Sequence, residues 1–450
     1  MKSITAEQIA QATSGKILHG SSAVVTNCVS TDSRKIPELA AFFALVGENF
    51  DAHDYLDQVV KAGAKVIVCE NFHHEQSGDS TIIQVKNTLK ALQDLAAFVR
   101  SELSAKRVAV TGSNGKTSTK DFIKAVLESQ FITSATLGNF NNHIGLPLTI
   151  LATKGDEQAA IWEMGMNHPG EIAPLCEIGM PEIGVITNIG TAHIEFMGSR
   201  EAIALEKGAL AEALPTSEEG GTLIVPASCD FNEQFASLTK AKVLIVGAED
   251  SLVTAKNVKQ TDAGSSFDLH IDGVSHLVTL PVIGEHMVSN ALLAAAVGYT
   301  LNIPIENIAN ALSGAELTSG RLRVFESSGV KVIDDTYNAN PESVKAALKT
   351  LADVDQKGAK IAVLGKLGEQ GEHETAAYQS IGEVATQLGL TVISVGDRAK
   401  PISDHSKNSY HFSTNEAAAE WLKSNANAGD TVLFKGSRAA AIEKVMNLIY

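Results

Sequence analysis

The rhythm of apolar and polar positions changes twice along the chain. The first hundred residues carry short apolar runs, Ala40 to Val46 and Lys65 to Cys69, and one segment from Thr88 to Leu103 whose Leu and Ala positions recur at helical spacing. This predicts a small α/β unit ending near Leu103. At Arg107–Val110 an apolar strand runs into a Gly-rich turn and then into a helix from Lys116 to about Ser129. Buried strands are predicted at Ala159–Met164, Ile183–Thr187, Gly221–Val225 and Lys242–Val246, and the helical segments between them imply a largely parallel sheet covered on both faces. A helix over Glu285–Leu301 closes this stretch, with Pro304 and Gly314 marking the passage to a third region from Leu317.

From Val330 the alternation is regular. Strands are predicted at Val330–Ile333, Lys360–Leu364, Thr391–Val395 and Asp430–Phe434, with helices at Pro341–Ala352, Glu374–Leu388, Asn415–Ser424 and Arg438–Ile449. That is the pattern of an open, Rossmann-like α/β domain. The expected architecture is therefore α/β in three domains, 1–103, 104–316 and 317–450. Length supports the division: the chain has 450 residues, whereas a single core stops growing at roughly 250–300.

Composition removes several classes. Apolar content of 44% and charged content of 20% are those of an ordinary globular protein. A formal charge of -16 argues against a nucleic-acid partner, whose phosphates call for clustered Lys and Arg. Cys28, Cys69, Cys176 and Cys229 form no CxxC pair, so free thiols in a reducing cytoplasm are expected. The N-terminus lacks the apolar core of an export signal, and stretches such as Ala291–Val297 are too short to span a membrane, so no membrane insertion is expected.

Candidate chemistry begins at Gly112-Ser113-Asn114-Gly115-Lys116-Thr117-Ser118. Between a strand and a helix N-terminus, glycines let backbone amides turn toward phosphate, Lys116 supplies charge, and the Thr117 hydroxyl suits Mg²⁺. The full phosphate-loop pattern would place glycine where Val110 stands, so the motif by itself implies nucleotide binding and no more. Glu163 and His193 lie at the ends of predicted strands, where ligands of open α/β sheets collect. Glu163 could complete an Mg²⁺ shell begun by Thr117.

In order along nearly the whole chain stand Thr31-Asp32-Ser33-Arg34, Phe42 to Gly47, Thr111 to Thr117, Gly138-Asn139-Phe140-Asn141-Asn142-His143, Glu163 to Ile172, Asn188 to Glu195, Asp334-Asp335-Thr336-Tyr337-Asn338-Ala339-Asn340-Pro341 and Lys435-Gly436-Ser437-Arg438. With these motifs the chain resembles the Mur ligases, and the Asn-x-Asn-Asn and Tyr-Asn-Ala-Asn-Pro segments resemble the branch that adds D-alanyl-D-alanine. The resemblance implies an N-terminal domain for the UDP end of a UDP-N-acetylmuramoyl-tripeptide, a central ATPase domain and a C-terminal Rossmann-like domain for the dipeptide. ATP and Mg²⁺ would be the cofactors, and a cytoplasmic monomer is expected.

By the same resemblance, Ser33, Arg34, Gly47, Asn139, Asn142, Asn338, Asn340, Lys435 and Ser437 would contact substrate. Asn290 would contact adenine, and Arg321 and Asp335 would reach the nucleotide from the C-terminal domain. Lys207, nine residues after Gly198, would be carbamylated and would join Thr117, Glu163 and His193 around metal. Lys116, Glu163, His193, Lys207 and Arg321 would carry catalysis. Met287 and Lys366 depart from the residues usual in this branch. Two alternatives stay open: a folylpolyglutamate-type ligase, and a binding protein switched by nucleotide without bond formation.

Overall fold

The computed structural model describes residues 1–72, 78–261, 264–355 and 358–450. Its contacts divide the chain into two units. The first comprises Met1–Ala109, Phe131–Met166 and Glu171–Glu182, and the second comprises Val110–Gln130, Asn167–Gly170 and Ile183–Tyr450.

In the first unit the runs Ala40–Phe43 and Val66–Cys69 are buried at every position, as strands covered on both faces must be. They lie side by side in a five-stranded sheet ordered Lys16–His19, Thr81–Gln84, Val66–Cys69, Ala40–Phe43, Cys28–Ser30. Only the pair involving Lys16–His19 is antiparallel. The helix Thr88–Ser101, capped by the Asn87 side chain, buries Ala91, Leu92, Leu95, Ala96 and Val99 as one face. It packs against helices Gly145–Leu151 and Ile172–Gly179. In the same unit Thr133–Ala135 pairs in parallel with Ala159–Glu163, which delivers Glu163 at its carboxyl end.

The second unit holds the parallel strands Ile183–Ile186, Thr222–Pro226 and Lys242–Val246. Its helix Glu285–Thr300 is apolar almost all round and runs through the interior against the helix Lys116–Glu128. Gly298 permits the close crossing, since a Cβ there would fall 2.6 Å from Val126 Cγ1. The passage marked by Pro304 and Gly314 contains a short helix, Ile305–Ser313, with Pro304 as its cap.

The C-terminal sheet is ordered Arg323–Ser327, Val330–Asp335, Thr431–Lys435, Lys360–Leu364, Thr391–Val395, Asn408–Phe412, all parallel except the first hairpin. Val332, Val363, Ile393, Val432 and Phe434 form its core on one face. Spacing predicts one helix over Arg438–Ile449, and here the structure differs. A 3₁₀ turn at Arg438–Ala440 ends at Ala441, whose φ of +50° cannot continue a right-handed helix, and the helix resumes over Glu443–Asn447. The antiparallel sheet Val253–Thr261, Gly264–Ile271, Val274–Leu280 and the edge strands Arg323–Ser327 and Asn408–Phe412 were not anticipated from the apolar pattern. Among the described residues no helix is long and apolar enough to cross a membrane.

Candidate functional site

Two glycines shape the loop between the strand Lys106–Thr111 and the helix Lys116–Glu128. Gly112 has φ +148°, and a Cβ on it would lie 1.9 Å from Thr187 Oγ1. Gly115 caps the helix at φ +78°, and its Cβ would lie 2.7 Å from Asn290 Oδ1. Both positions need a residue without a side chain.

The loop is tied to the segment that follows strand Ile183–Ile186. Ser113 N donates to Asn188 O at 3.0 Å, Asn114 N to Asn188 Oδ1 at 2.8 Å, and Gly190 N to Ser113 Oγ at 2.9 Å. The Thr187 hydroxyl donates to Asn114 O. With the loop fixed from outside, the first N–H groups of the helix, which have no acceptor within it, face the space where an anion would sit. Lys116 Nζ donates to Gly112 O at 2.8 Å and so folds back along the loop. Thr117 and Ser118 are buried at the helix start, and Asn290, expected at adenine, packs beside Gly115 with its Nδ2 on Met287 Sδ at 3.7 Å.

Residues from the C-terminal region, beside its sheet, reach the same loop. Arg321 Nη2 donates to Thr117 Oγ1 at 3.0 Å, and Asn340 Nδ2 donates to Asn114 Oδ1 at 2.7 Å. Asn340 also caps the helix Pro341–Asp353, and Glu342 in that helix accepts from Thr191 N at 3.1 Å and Thr191 Oγ1 at 2.8 Å. Sheet register sets Asp335 opposite Lys435, and the buried Lys435 Nζ donates to Asp335 Oδ2 at 2.6 Å and to Asn338 O at 2.9 Å. Ser437 is buried with its hydroxyl unpartnered. These side chains gather at the carboxyl ends of parallel strands, where open α/β sheets place their ligands.

Lys207 lies on the helix Arg200–Glu212 with no exposed surface and no hydrogen-bond partner for Nζ. Burial holds its amine well below the usual lysine range, the charge of Lys116 lowers it further, and Glu206 opposes the shift. His193 has a left-handed backbone, φ +65°, and its Nδ1 is engaged by Glu369. That hydrogen bond is the first reason the Glu369 carboxyl sits below its ordinary value.

In the first unit Glu163 is buried. Asn141 Nδ2 donates to its Oε1 at 2.8 Å, while Oε2 is buried without a partner. Asn142 Oδ1 accepts from the backbone N–H of Gly145 at 2.8 Å, so it starts the helix Gly145–Leu151, and Asn139 is exposed beside it. Ser33 is buried, and its carbonyl accepts from Gln58 Nε2 at 3.2 Å. Arg34 is exposed and grips Asp32 through two bonds of 2.8 Å, which hold the Asp32 carboxyl at about 2. Gly47 belongs to the small hairpin Val46–Gly47 and Phe50–Asp51.

Sequence reasoning did not single out Asn141, Asp121, Tyr337, Glu342 or Glu369. Asn141 carries a signal in its Asn-x-Asn-Asn segment. Tyr337 stands in the Tyr-Asn-Ala-Asn-Pro segment, whereas Asp121, Glu342 and Glu369 carry no signal, because their partners lie far away along the chain.

A nucleotide-phosphate loop together with a Rossmann-like sheet defines a nucleotide-binding α/β class. Within that class the chain belongs to the Mur ligase family. Residues 25–100 match the Mur ligase family catalytic domain, 110–298 the Mur ligase middle domain and 320–438 the Mur ligase glutamate ligase domain. It is 35% identical over 430 residues to the UDP-N-acetylmuramoyl-tripeptide--D-alanyl-D-alanine ligase of Bacillus subtilis, covering 94% of this chain and 93% of that one. It is 34% identical to the ligase of the same name from Escherichia coli, covering 100% and 99%. Among solved structures, MurF from Acinetobacter baumannii superposes with a TM-score of 0.93 at 32% identity, covering 99% of this chain and 98% of that one. MurF from Thermotoga maritima in complex with ADP gives 0.85 at 29% identity, covering 94% and 97%.

Proposed function

We propose that the chain is an ATP-dependent ligase that joins D-alanyl-D-alanine to UDP-N-acetylmuramoyl-tripeptide through an acyl phosphate, yielding the pentapeptide, ADP and phosphate for peptidoglycan precursor synthesis. The observation that carries the reading is similarity at 31–35% identity, over nearly the full chain, to ligases of that activity. The partition 1–103, 104–316 and 317–450 would then correspond to UDP-substrate, ATP and dipeptide domains. The reading includes the expectation of a monomer. Among the described residues the four cysteines form no disulfide, which is consistent with the cytoplasmic setting of this reading.

A carboxylate resists attack by an amine, so the substrate carboxylate oxygen first takes the γ-phosphoryl group and ADP leaves. Lys116 turns from Gly112 O to the phosphoryl oxygens, and Arg321 adds a second positive charge from the C-terminal region. The dipeptide amine, with a pKa of about 8, then attacks the acyl carbon and phosphate departs with the carboxylate oxygen. In this reading Asn338, Asn340, Lys435 and Ser437 would orient that dipeptide, and Ser33, Arg34, Gly47, Asn139 and Asn142 would contact the UDP-substrate.

The residues present fit a divalent cation. Thr117 offers a hydroxyl, Glu163 Oε2 is a buried oxygen without a partner among the described residues, and burial lowers the pKa of the Lys207 amine, the direction that reaction with carbon dioxide requires. Within the second unit, Thr117, His193 and carbamylated Lys207 would hold Mg²⁺, which would supply charge to offset the phosphoryl oxygens.

Incubation with ATP, Mg²⁺, the UDP-tripeptide and D-alanyl-D-alanine, followed by product mass and phosphate release, tests the assignment. Phosphate without the extended product would overturn it, and so would activity restricted to glutamate and a folate.

A further inference from the structure

Arg321 is held in a strained turn. Gly320 and Leu322 on either side of it have φ values of +76° and +53°. For a leucine that conformation persists only where surrounding packing over-determines it, and Leu322 is buried. The turn is fixed from two directions. Tyr337 N donates to Gly320 O at 3.2 Å, and Thr318 N donates to Asp121 Oδ2 at 2.8 Å, one helical turn beyond Thr117.

Between these anchors the Arg321 guanidinium carbon lies 4.0 Å from the centroid of the Tyr337 ring while Nη2 bonds the Thr117 hydroxyl. Arg321 Nε is buried without a hydrogen-bond partner. Among the described residues Arg321 bonds the Thr117 hydroxyl and lies over the Tyr337 ring, with no carboxylate ion pair, so the aromatic face sets the plane of the guanidinium.

We infer that Tyr337 is a positioning residue for phosphoryl transfer: its ring holds the Arg321 guanidinium over the phosphate loop, so the charge is in place before the γ-phosphoryl group moves. Preorganised charge lowers a barrier because nothing must reorganise as the reaction proceeds. The inference rests on the ligase reading and adds to it a residue whose whole effect passes through Arg321.

A double-mutant cycle tests it. Tyr337→Leu lowers kcat about tenfold with KM for the UDP-substrate held within about twofold, and Tyr337→Phe, which keeps the ring face, stays within about threefold of wild type. In the Arg321→Ala background, Tyr337→Leu adds less than about a twofold loss. A full further tenfold loss in that background, or a Phe variant as impaired as Leu, overturns the inference. Should the Leu variant not fold, Tyr337→Met replaces it in the same cycle. If the wild-type protein forms no dipeptide-extended product, the ligase reading fails by itself, and the cycle is then read on the rise in Tm caused by ATP. There, Tyr337→Leu diminishes the rise only while Arg321 is present, and an equal loss in both backgrounds refutes the positioning role.

Discussion

Lys207→Met should separate stability from function. The wild-type side chain has no exposed surface and its Nζ has no partner. An unsatisfied buried polar group costs roughly 1–3 kcal/mol. Methionine fills a similar volume without the amine, so the substitution should stabilise the folded chain by about 2 kcal/mol, a rise of about 3 °C in Tm. The gain depends on pH. Because the folded-state amine titrates below its unfolded value, the folded chain binds fewer protons between its lowered pKa and about 10.4. Wild-type stability therefore rises with pH across that window, and the advantage of Lys207→Met shrinks. Thermal unfolding of both proteins without bicarbonate, at about pH 7 and about pH 9.5, reads this directly. If Lys207 carries the proposed carbamate, activity should fall about a hundredfold in the variant. A variant that is less stable at neutral pH and still fully active would refute the reasoning.

Three other substitutions probe the rest of the site. Gly112→Ala forces a Cβ to within 1.9 Å of Thr187 Oγ1; it should destabilise by about 2–4 kcal/mol in chemical denaturation and reduce the ATP-induced rise in Tm. Lys116→Ala should lower kcat at least about a thousandfold while calorimetry still detects UDP-substrate binding, because the lysine acts on the phosphates. Arg34→Ala, at an exposed position, should change stability by less than about 0.5 kcal/mol, yet raise KM for the UDP-substrate about tenfold if the guanidinium meets the diphosphate.

How far the fold was legible depended on where each element's burial comes from. Strands buried on both faces, such as Ala159–Glu163 and Thr431–Lys435, announce themselves as continuous apolar runs. The strand Gly264–Ile271 buries Phe267, Leu269 and Ile271 in alternation, a weaker signal interrupted by polar Ser, Asp and His. The edge strand Asn408–Phe412 has no fully buried position, so its apolar pattern is faint. The break at Ala441 is set by tertiary context, since alanine otherwise favours helix.

The site divides in the same way. Gly112, Gly115, Lys116 and Thr117 are local in sequence and carry their geometry in their spacing. Long-range partnerships are silent: Arg321 with Thr117, Asn340 with Asn114, Glu342 with Thr191 and Glu369 with His193 join residues that only folding brings together. The burial of the Lys207 amine was equally invisible, since a lysine after Glu206 can also be read as an ordinary helix-surface residue.

The central claim is that ATP activates the tripeptide carboxylate as an acyl phosphate before the amide forms. The most direct measurement uses UDP-N-acetylmuramoyl-tripeptide with its terminal carboxylate labelled with oxygen-18, turned over with ATP, Mg²⁺ and D-alanyl-D-alanine. The account predicts one labelled oxygen in each phosphate released and one in the new amide carbonyl of the dipeptide-extended product. Phosphate without label, or labelled phosphate without that product, would contradict it.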